Sequence, residues 1–162
     1  MNNVGKETGK EFSVRIYTDG SCLRNGQEGA TAGYAAIMIC NGKTKMISGK
    51  IEGNVTNNVA ELTAVIEAVS QLKKDHKTDV TIVSDSEYIV KSVNEKRVAS
   101  WVKNGWRTAS KQPVKNMDLW KDLIRVCKEH FNCTFKFEYV EGHSGDALNE
   151  ECDKLAKQAA KQ

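Results

Sequence analysis

The chain has 162 residues, 40% of them apolar and 28% charged, with a formal net charge of +3; these proportions describe a globular protein and exclude a disordered one. A domain of this length buries roughly 70% of the surface its unfolded chain exposes, enough for one core without covalent staples. No apolar run approaches the ~20 residues that cross a bilayer, and Met1-Asn2-Asn3-Val4-Gly5-Lys6 lacks the apolar segment of a secretory signal, so the expected location is the cytoplasm, with no membrane partner.

Residues 1–11 are polar and read as a flexible tail ahead of a single domain over 12–162. Phe12, Val14, Ile16 and Thr18 then alternate with Ser13, Arg15, Tyr17 and Asp19, a period of two that predicts a strand ending at Asp19-Gly20-Ser21. After a Gly- and Asn-rich loop, Tyr34 to Cys40 predicts a second strand. Asn41-Gly42 is a two-residue hairpin signal, so Lys45 to Ile51 is expected to return antiparallel. The period then changes. Val59, Leu62, Val65, Ile66, Val69 and Leu72 recur at helical spacing, with Thr56, Asn57 or Asn58 as the cap and an end near Lys74. At ~100° per residue, Glu61 falls on the margin of that apolar stripe, roughly 90° from its centre.

Asp79 to Ser84 predicts a β-branched strand that again stops at an acid, Asp85, and Ser86 to about Asn94 a short helix. From Lys96 to Lys115 the charged residues are all basic: Lys96, Arg97, Lys103, Arg107, Lys111 and Lys115, interleaved with Trp101 and Trp106. Such a block suggests a polyanionic partner. Asn116 is placed to cap a helix carrying Leu119, Trp120, Leu123, Ile124 and Cys127 inward. Thr134 to Val140 predicts the last strand, Glu141-Gly142-His143-Ser144-Gly145 a loop, and Asn149 to Lys161 a final helix. The order β-β-β-α-β-α-α-β-α predicts an α/β domain whose mixed five-stranded sheet has its first three strands antiparallel and later ones parallel, flanked by helices. Cys22, Cys40, Cys127, Cys133 and Cys152 are odd in number and form no C-x-x-C pair, which argues against a disulfide framework or a zinc site. They read as packing residues, with Cys22 set apart by its nearness to Asp19.

Two strands ending in Thr18-Asp19-Gly20 and Ser84-Asp85-Ser86 would bring two carboxylates into one crevice at the carboxyl end of the sheet. Two such acids repel, raising a pKa unless a cation sits between them, and Mg²⁺ is a hard ion suited to oxygen ligands. The alternative is that strand-terminal Asp residues cap turns and helices, which for Asp85 before Ser86-Glu87 is an even choice.

Taken together, Asp19-Gly20-Ser21-Cys22, Thr56-Asn57-Asn58 with Glu61-Leu62, Asp85-Ser86 before Tyr88, Gly142-His143-Ser144-Gly145, and Asn149-Glu150-Glu151-Cys152-Asp153 with Leu155-Ala156 resemble, in order, the motifs of type 1 ribonuclease H. The resemblance covers about Ser13 to Lys161 and implies a ribonuclease H-like fold over a single catalytic domain, 12–162. It implies that Asp19, Glu61, Asp85 and Asp153 hold two Mg²⁺ ions, with Mn²⁺ able to substitute, and that the enzyme cuts the RNA strand of RNA–DNA hybrids with little sequence specificity. One ion activates the attacking water while the other stabilises the departing 3′-oxygen, leaving 5′-phosphate and 3′-hydroxyl ends. His143 carries over as the catalytic histidine of proton transfer and product release. His76 and His130 have no such context and read as idle, exposed side chains.

The resemblance also implies that Cys22, Asn25, Asn57, Asn58 and Asn149 line the groove for the hybrid, and that Thr56 and Asn116 take a DNA-strand phosphate. Trp101, Lys103, Trp106, Arg107, Lys111 and Lys115 match the family's basic handle, where a tryptophan either anchors the handle or touches DNA. Glu87 stands where a nucleic-acid-contacting glutamine is usual, and Arg97 where many bacterial members have a further tryptophan. The expected partner is the hybrid duplex, bound by a monomer. Integrase-like nucleases and a hybrid-binding module without catalysis are the rival readings; the Gly142–Gly145 loop and the handle oppose the first, the four acids the second.

Overall fold

A computed structural model describes residues 12–162; the tail expected over 1–11 lies outside the described residues. Five strands, β1 (Phe12–Leu23), β2 (Thr31–Cys40), β3 (Lys43–Ile51), β4 (Thr78–Ser84) and β5 (Cys133–Tyr139), form one sheet in the order β3-β2-β1-β4-β5. β1–β2 and β2–β3 pair antiparallel, while β1–β4 and β4–β5 pair parallel, as the sequence predicts. The hairpin between β2 and β3 turns on Asn41 (φ 51°) and Gly42 (φ 76°), the two left-handed residues that a twist-matched two-residue turn requires.

The helices are α1 (Asn57–Ser70), α2 (Glu87–Asn94), α3 (Arg97–Lys103), α4 (Met117–Glu129) and α5 (Ala147–Ala160). Strand alternation sorts the core into two layers. Val14, Ile16, Ala36, Met38, Val80 and Ile82 face Leu62, Val65 and Val69 of α1 and Trp120, Leu123 and Val126 of α4. Tyr17, Ala35, Ile37 and Val83 face Cys152 and Ala156 of α5. Each large aliphatic side chain so buried contributes about 1.5–3 kcal/mol, which fixes α1 and α5 firmly on opposite faces of β1. Among the described residues, no helix is long and apolar enough to cross a membrane. Cys133 and Cys152 are buried, and Cys22, Cys40 and Cys127 are partly so.

The expectations need correction at several points, among them the end of α1, which falls at Ser70 rather than near Lys74. β1 does not stop at Asp19: its parallel partner stops, with Thr18 opposite Ser84, while β2 continues the pairing to Leu23. The basic block contains the helix α3, whose short apolar pattern of Val98, Trp101 and Val102 the periodicity did not resolve. α5 begins two residues early because Asp146 caps it, its carboxylate accepting from the amides of Leu148 and Asn149 at 3.1 and 3.0 Å. His130 is not idle or exposed. It is 2% exposed, with Nδ1 2.7 Å from the Val126 carbonyl and Nε2 3.0 Å from that of Leu72, joining the ends of α4 and α1.

Candidate active site

The site is built by close approach. A Cβ on Gly20 would collide with the backbone carbonyl of Ala60 and the amide of Glu61, so only glycine lets α1 cross β1 here. That crossing carries Glu61 to Asp19. On the other face, Gly33 of β2 leaves room for the backbone of Ala156 and Ala160 and the methyl of Ala159. The Cys152 thiol points at the carbonyls of Tyr17 and Ala35, 3.5 and 3.3 Å away. α5 is thereby pressed onto the sheet and presents Asp153 beside β1. Asp85 follows the last residue of β4, with the cap of α2 supplied instead by Ser86, whose Oγ accepts from Ile89 at 3.2 Å. Capping therefore does not account for Asp85.

Asp19, Glu61 and Asp85 each offer a carboxylate oxygen within 4.8 Å of the others. Gly20 donates its amide to Asp19 Oδ1 at 2.9 Å, but Asp19 Oδ2 and Glu61 Oε2 are sealed from solvent without a hydrogen-bond partner. Unpaired buried carboxylate oxygens are costly. Burial first, then the charge of Asp85, push Asp19 up to about 8. Burial and the charges of Asp19 and Asp85 hold Glu61 well above the usual carboxylate range. Asp85 is raised by burial and by Asp153, against which the amide of Asn149 and the charge of His143 pull it down. A cluster of hard oxygens that cannot all be charged alone fits a divalent cation of the Mg²⁺ type.

Asp153 lies against Asp19 and bears on Asp85 by charge. Yet its Oδ2 is turned to Lys157 Nζ, 2.9 Å away and one helical turn along α5. His143 is exposed on its loop with φ 58°, and the preceding Gly142 backs onto Asp85.

Of the groove residues, Asn25 Oδ1 accepts from the Asn57 amide at 3.2 Å, tying the β1–β2 loop to the start of α1. Thr56 is the cap of α1, its Oγ1 accepting from Val59 at 3.1 Å, which leaves Asn57 and Asn58 exposed in the first turn. Cys22 is half-buried against the small cluster of Ala32, Val55 and Ala60. Asn149 is not part of that exposed surface; it is 3% exposed and bonded to Asp85. Asn116 occupies the cap position of α4 with φ 59° but makes no side-chain cap. Its amide donates instead to the Tyr88 hydroxyl, 3.3 Å away. Tyr88 also accepts from Trp120 Nε1 at 2.8 Å.

In the handle, Trp101 packs edge-on to the buried Trp120 at 5.7 Å and lies 6.4 Å from Trp106. The two tryptophans are half-buried anchors, and Lys103, Arg107, Lys111 and Lys115 are exposed around them. An Arg107–Pro113 bridge and the Arg107 guanidinium donating to the Lys111 carbonyl at 3.1 Å close the loop. Glu87 is exposed and paired with Lys91 at 3.4 Å; Arg97 pairs with Glu95 at 3.1 Å. Sequence reasoning passed over Lys157 and Asp146, although the Asp153-x-x-x-Lys157 spacing is a legible ion-pair signal.

Fold and site together define a sheet-borne cluster of carboxylates suited to holding a metal ion. Residues 11–161 match the RNase H family. The ribonuclease H of Nitratidesulfovibrio vulgaris strain DP4 is 45% identical over 150 residues, covering 93% of this chain and 90% of its own. That of Caldicellulosiruptor saccharolyticus is 44% identical over 149 residues, with 92% and 97% covered. The crystal structure of LC9-RNase H1, a type 1 RNase H with the type 2 active-site motif, superposes with a TM-score of 0.78 at 30% identity, covering 93% of this chain and 72% of that one. The chain belongs to the ribonuclease H family.

Proposed function

We propose that this protein is an endonuclease that hydrolyses the RNA strand of RNA–DNA hybrids with little sequence preference, leaving 5′-phosphate and 3′-hydroxyl ends, with residues 12–162 as its single catalytic domain. The observation that carries the reading is the pair of sealed, unpartnered oxygens, Asp19 Oδ2 and Glu61 Oε2, beside Asp85. Asp19, Glu61, Asp85 and Asp153 would hold two Mg²⁺ ions, or Mn²⁺ in their place. Bound there, such ions lower the pKa of the attacking water and offset charge on the departing oxygen.

The chain's own residues do the rest. The Gly20 amide fixes Asp19 through Oδ1 and leaves Oδ2 for a ligand. Asn149 orients Asp85 from behind, a supporting role that its burial favours over direct groove contact. His143 stands exposed beside Asp85, placed to hand a proton to or from the reacting groups. Asn25, Asn57 and Asn58, with Cys22 beside them, offer short amides to the 2′-hydroxyls in a wide minor groove. Thr56 and Asn116 take a phosphate of the DNA strand, and Glu87 lies where a strand passes the start of α2. Lys103, Arg107, Lys111 and Lys115 hold further phosphates, with Trp101 and Trp106 as their footing. The working form is a monomer in the cytoplasm.

An end-labelled RNA–DNA hybrid incubated with Mg²⁺, Mn²⁺ or EDTA tests the reading. Cleavage is expected with either ion and none with EDTA. Comparable cutting of an all-DNA duplex would remove the 2′-hydroxyl from recognition.

A further inference from the structure

Three of the four acids gather, and the fourth, though it lies against Asp19, gives an oxygen to a lysine. Asp19, Glu61 and Asp85 share a space 4.8 Å across, whereas Asp153 spends Oδ2 on the Lys157 ammonium at 2.9 Å. The backbone does not decide this. α5 is clamped on both sides of Asp153 by the Cys152 thiol on the Tyr17 and Ala35 carbonyls and by Ala156, Ala159 and Ala160 on Gly33. What can move is the side chains. Asp153 is 24% exposed and Lys157 49% exposed, and a lysine carries its charge on a flexible four-carbon stem. Lys154, on the same helix and exposed, makes no ion pair among the described residues, so the arrangement is specific to Lys157.

We propose that Lys157 is a positioning residue that holds Asp153 in reserve in the free enzyme and, when Asp153 turns to its metal, is released onto a phosphate of the RNA strand. The proposal rests on the metal and substrate reading above. In the free protein the ammonium is the counter-charge of the fourth carboxylate, so an incoming cation must displace it. Once displaced, Nζ remains within a lysine's reach of the acids and hence of the backbone they act on. One charge thus serves two states, and its removal has opposite effects on metal and on hybrid.

The test is calorimetric titration of Mn²⁺ into the hybrid-free protein for wild type, Lys157→Met, Lys157→Arg and Lys154→Met. Exposed ion pairs of this kind are modest, so Lys157→Met is expected to bind Mn²⁺ about two- to fivefold more tightly. Lys157→Arg should stay near wild type, and Lys154→Met should change less than Lys157→Met. Against hybrid, Lys157→Met should raise KM with kcat retained and lower the slope of log affinity on log salt by about one phosphate's worth. Unchanged or weaker Mn²⁺ binding in Lys157→Met, an equal gain in Lys154→Met, or an unchanged KM would each overturn the proposal. Absence of Mn²⁺ binding by the wild type would instead overturn the metal reading beneath it.

Discussion

Asp19→Asn separates what the carboxylate does for function from what it costs the fold. Burial and Asp85 push Asp19 from an ordinary 3.8 up to about 8, which at ~1.4 kcal/mol per unit corresponds to roughly 5–6 kcal/mol. Asp19 and Glu61 can share one proton, so about half of that, ~3 kcal/mol, is the working figure. The folded value lies above the unfolded one. The group's contribution is therefore intact below pH ~4 and is lost as pH rises towards 8. Asparagine keeps the shape and never ionises. In EDTA, Asp19→Asn is expected to be more stable than wild type at pH 8–9, by about 6–12 °C in Tm at 2–4 °C per kcal/mol. The gap should close towards pH 4. Adding Mg²⁺ at pH 8 should nearly close the gap at 100 times its Kd, where a ligand stabilises by ~2.7 kcal/mol, and reverse the order at 1,000 times, where it stabilises by ~4.1 kcal/mol, since Asp19→Asn has lost the site. Hybrid cleavage should collapse while hybrid binding persists. Thermal unfolding across pH with and without Mg²⁺ is the assay. Parallel profiles for the two proteins in EDTA would refute the argument that the free site is electrostatically strained.

Gly20→Ala places a methyl on the Ala60–Glu61 backbone; about 3 kcal/mol of stability, the upper end for overpacking, should be lost in denaturant unfolding together with cleavage. Tyr88→Phe leaves the buried Trp120 indole N–H without its acceptor and should cost about 1–3 kcal/mol, read by the same unfolding curves. Exchanging Lys103, Arg107, Lys111 and Lys115 together for Gln should raise KM and flatten its dependence on salt, with kcat changed far less; an unaltered salt slope in steady-state kinetics would mean the handle touches no phosphate.

The strands and helices were legible wherever one periodicity ran unbroken. The alternation through Ile16 and Thr18, the Asn41-Gly42 turn and the apolar stripe of α1 each specify their element locally, and the structure follows them. α3 was missed because seven residues span barely two turns and none is fully buried. His130 was misread because its partners, the carbonyls of Leu72 and Val126, are backbone atoms at the ends of helices, invisible to any side-chain pattern. Within the site, the strand-end acids Asp19 and Asp85 stand out, and Glu61 betrays itself by its place on the stripe margin. Asp153 is different: only the resemblance singles it out, because nothing in a helix that also carries Glu150 and Glu151 marks one carboxylate over another. The same holds for Asn149, which the resemblance places in the groove and which the fold buries against Asp85.

The arrangement of the acids follows from where the backbone is allowed to come close. Burial first, and then mutual repulsion, raise Asp19, Glu61 and Asp85, so the folded chain holds them together against both. The force comes from the two apolar layers, which press α1 and α5 onto opposite faces of the sheet. Its direction comes from small residues: Gly20 under Ala60 and Glu61, and Gly33 under Ala156, Ala159 and Ala160. A larger side chain at either position would leave every acid in the sequence and still move a helix away from β1. The site is thus as dependent on those two glycines as on its ligands. Substitutions there should lose metal-linked stabilisation together with the fold stability that the displaced helix backbone costs.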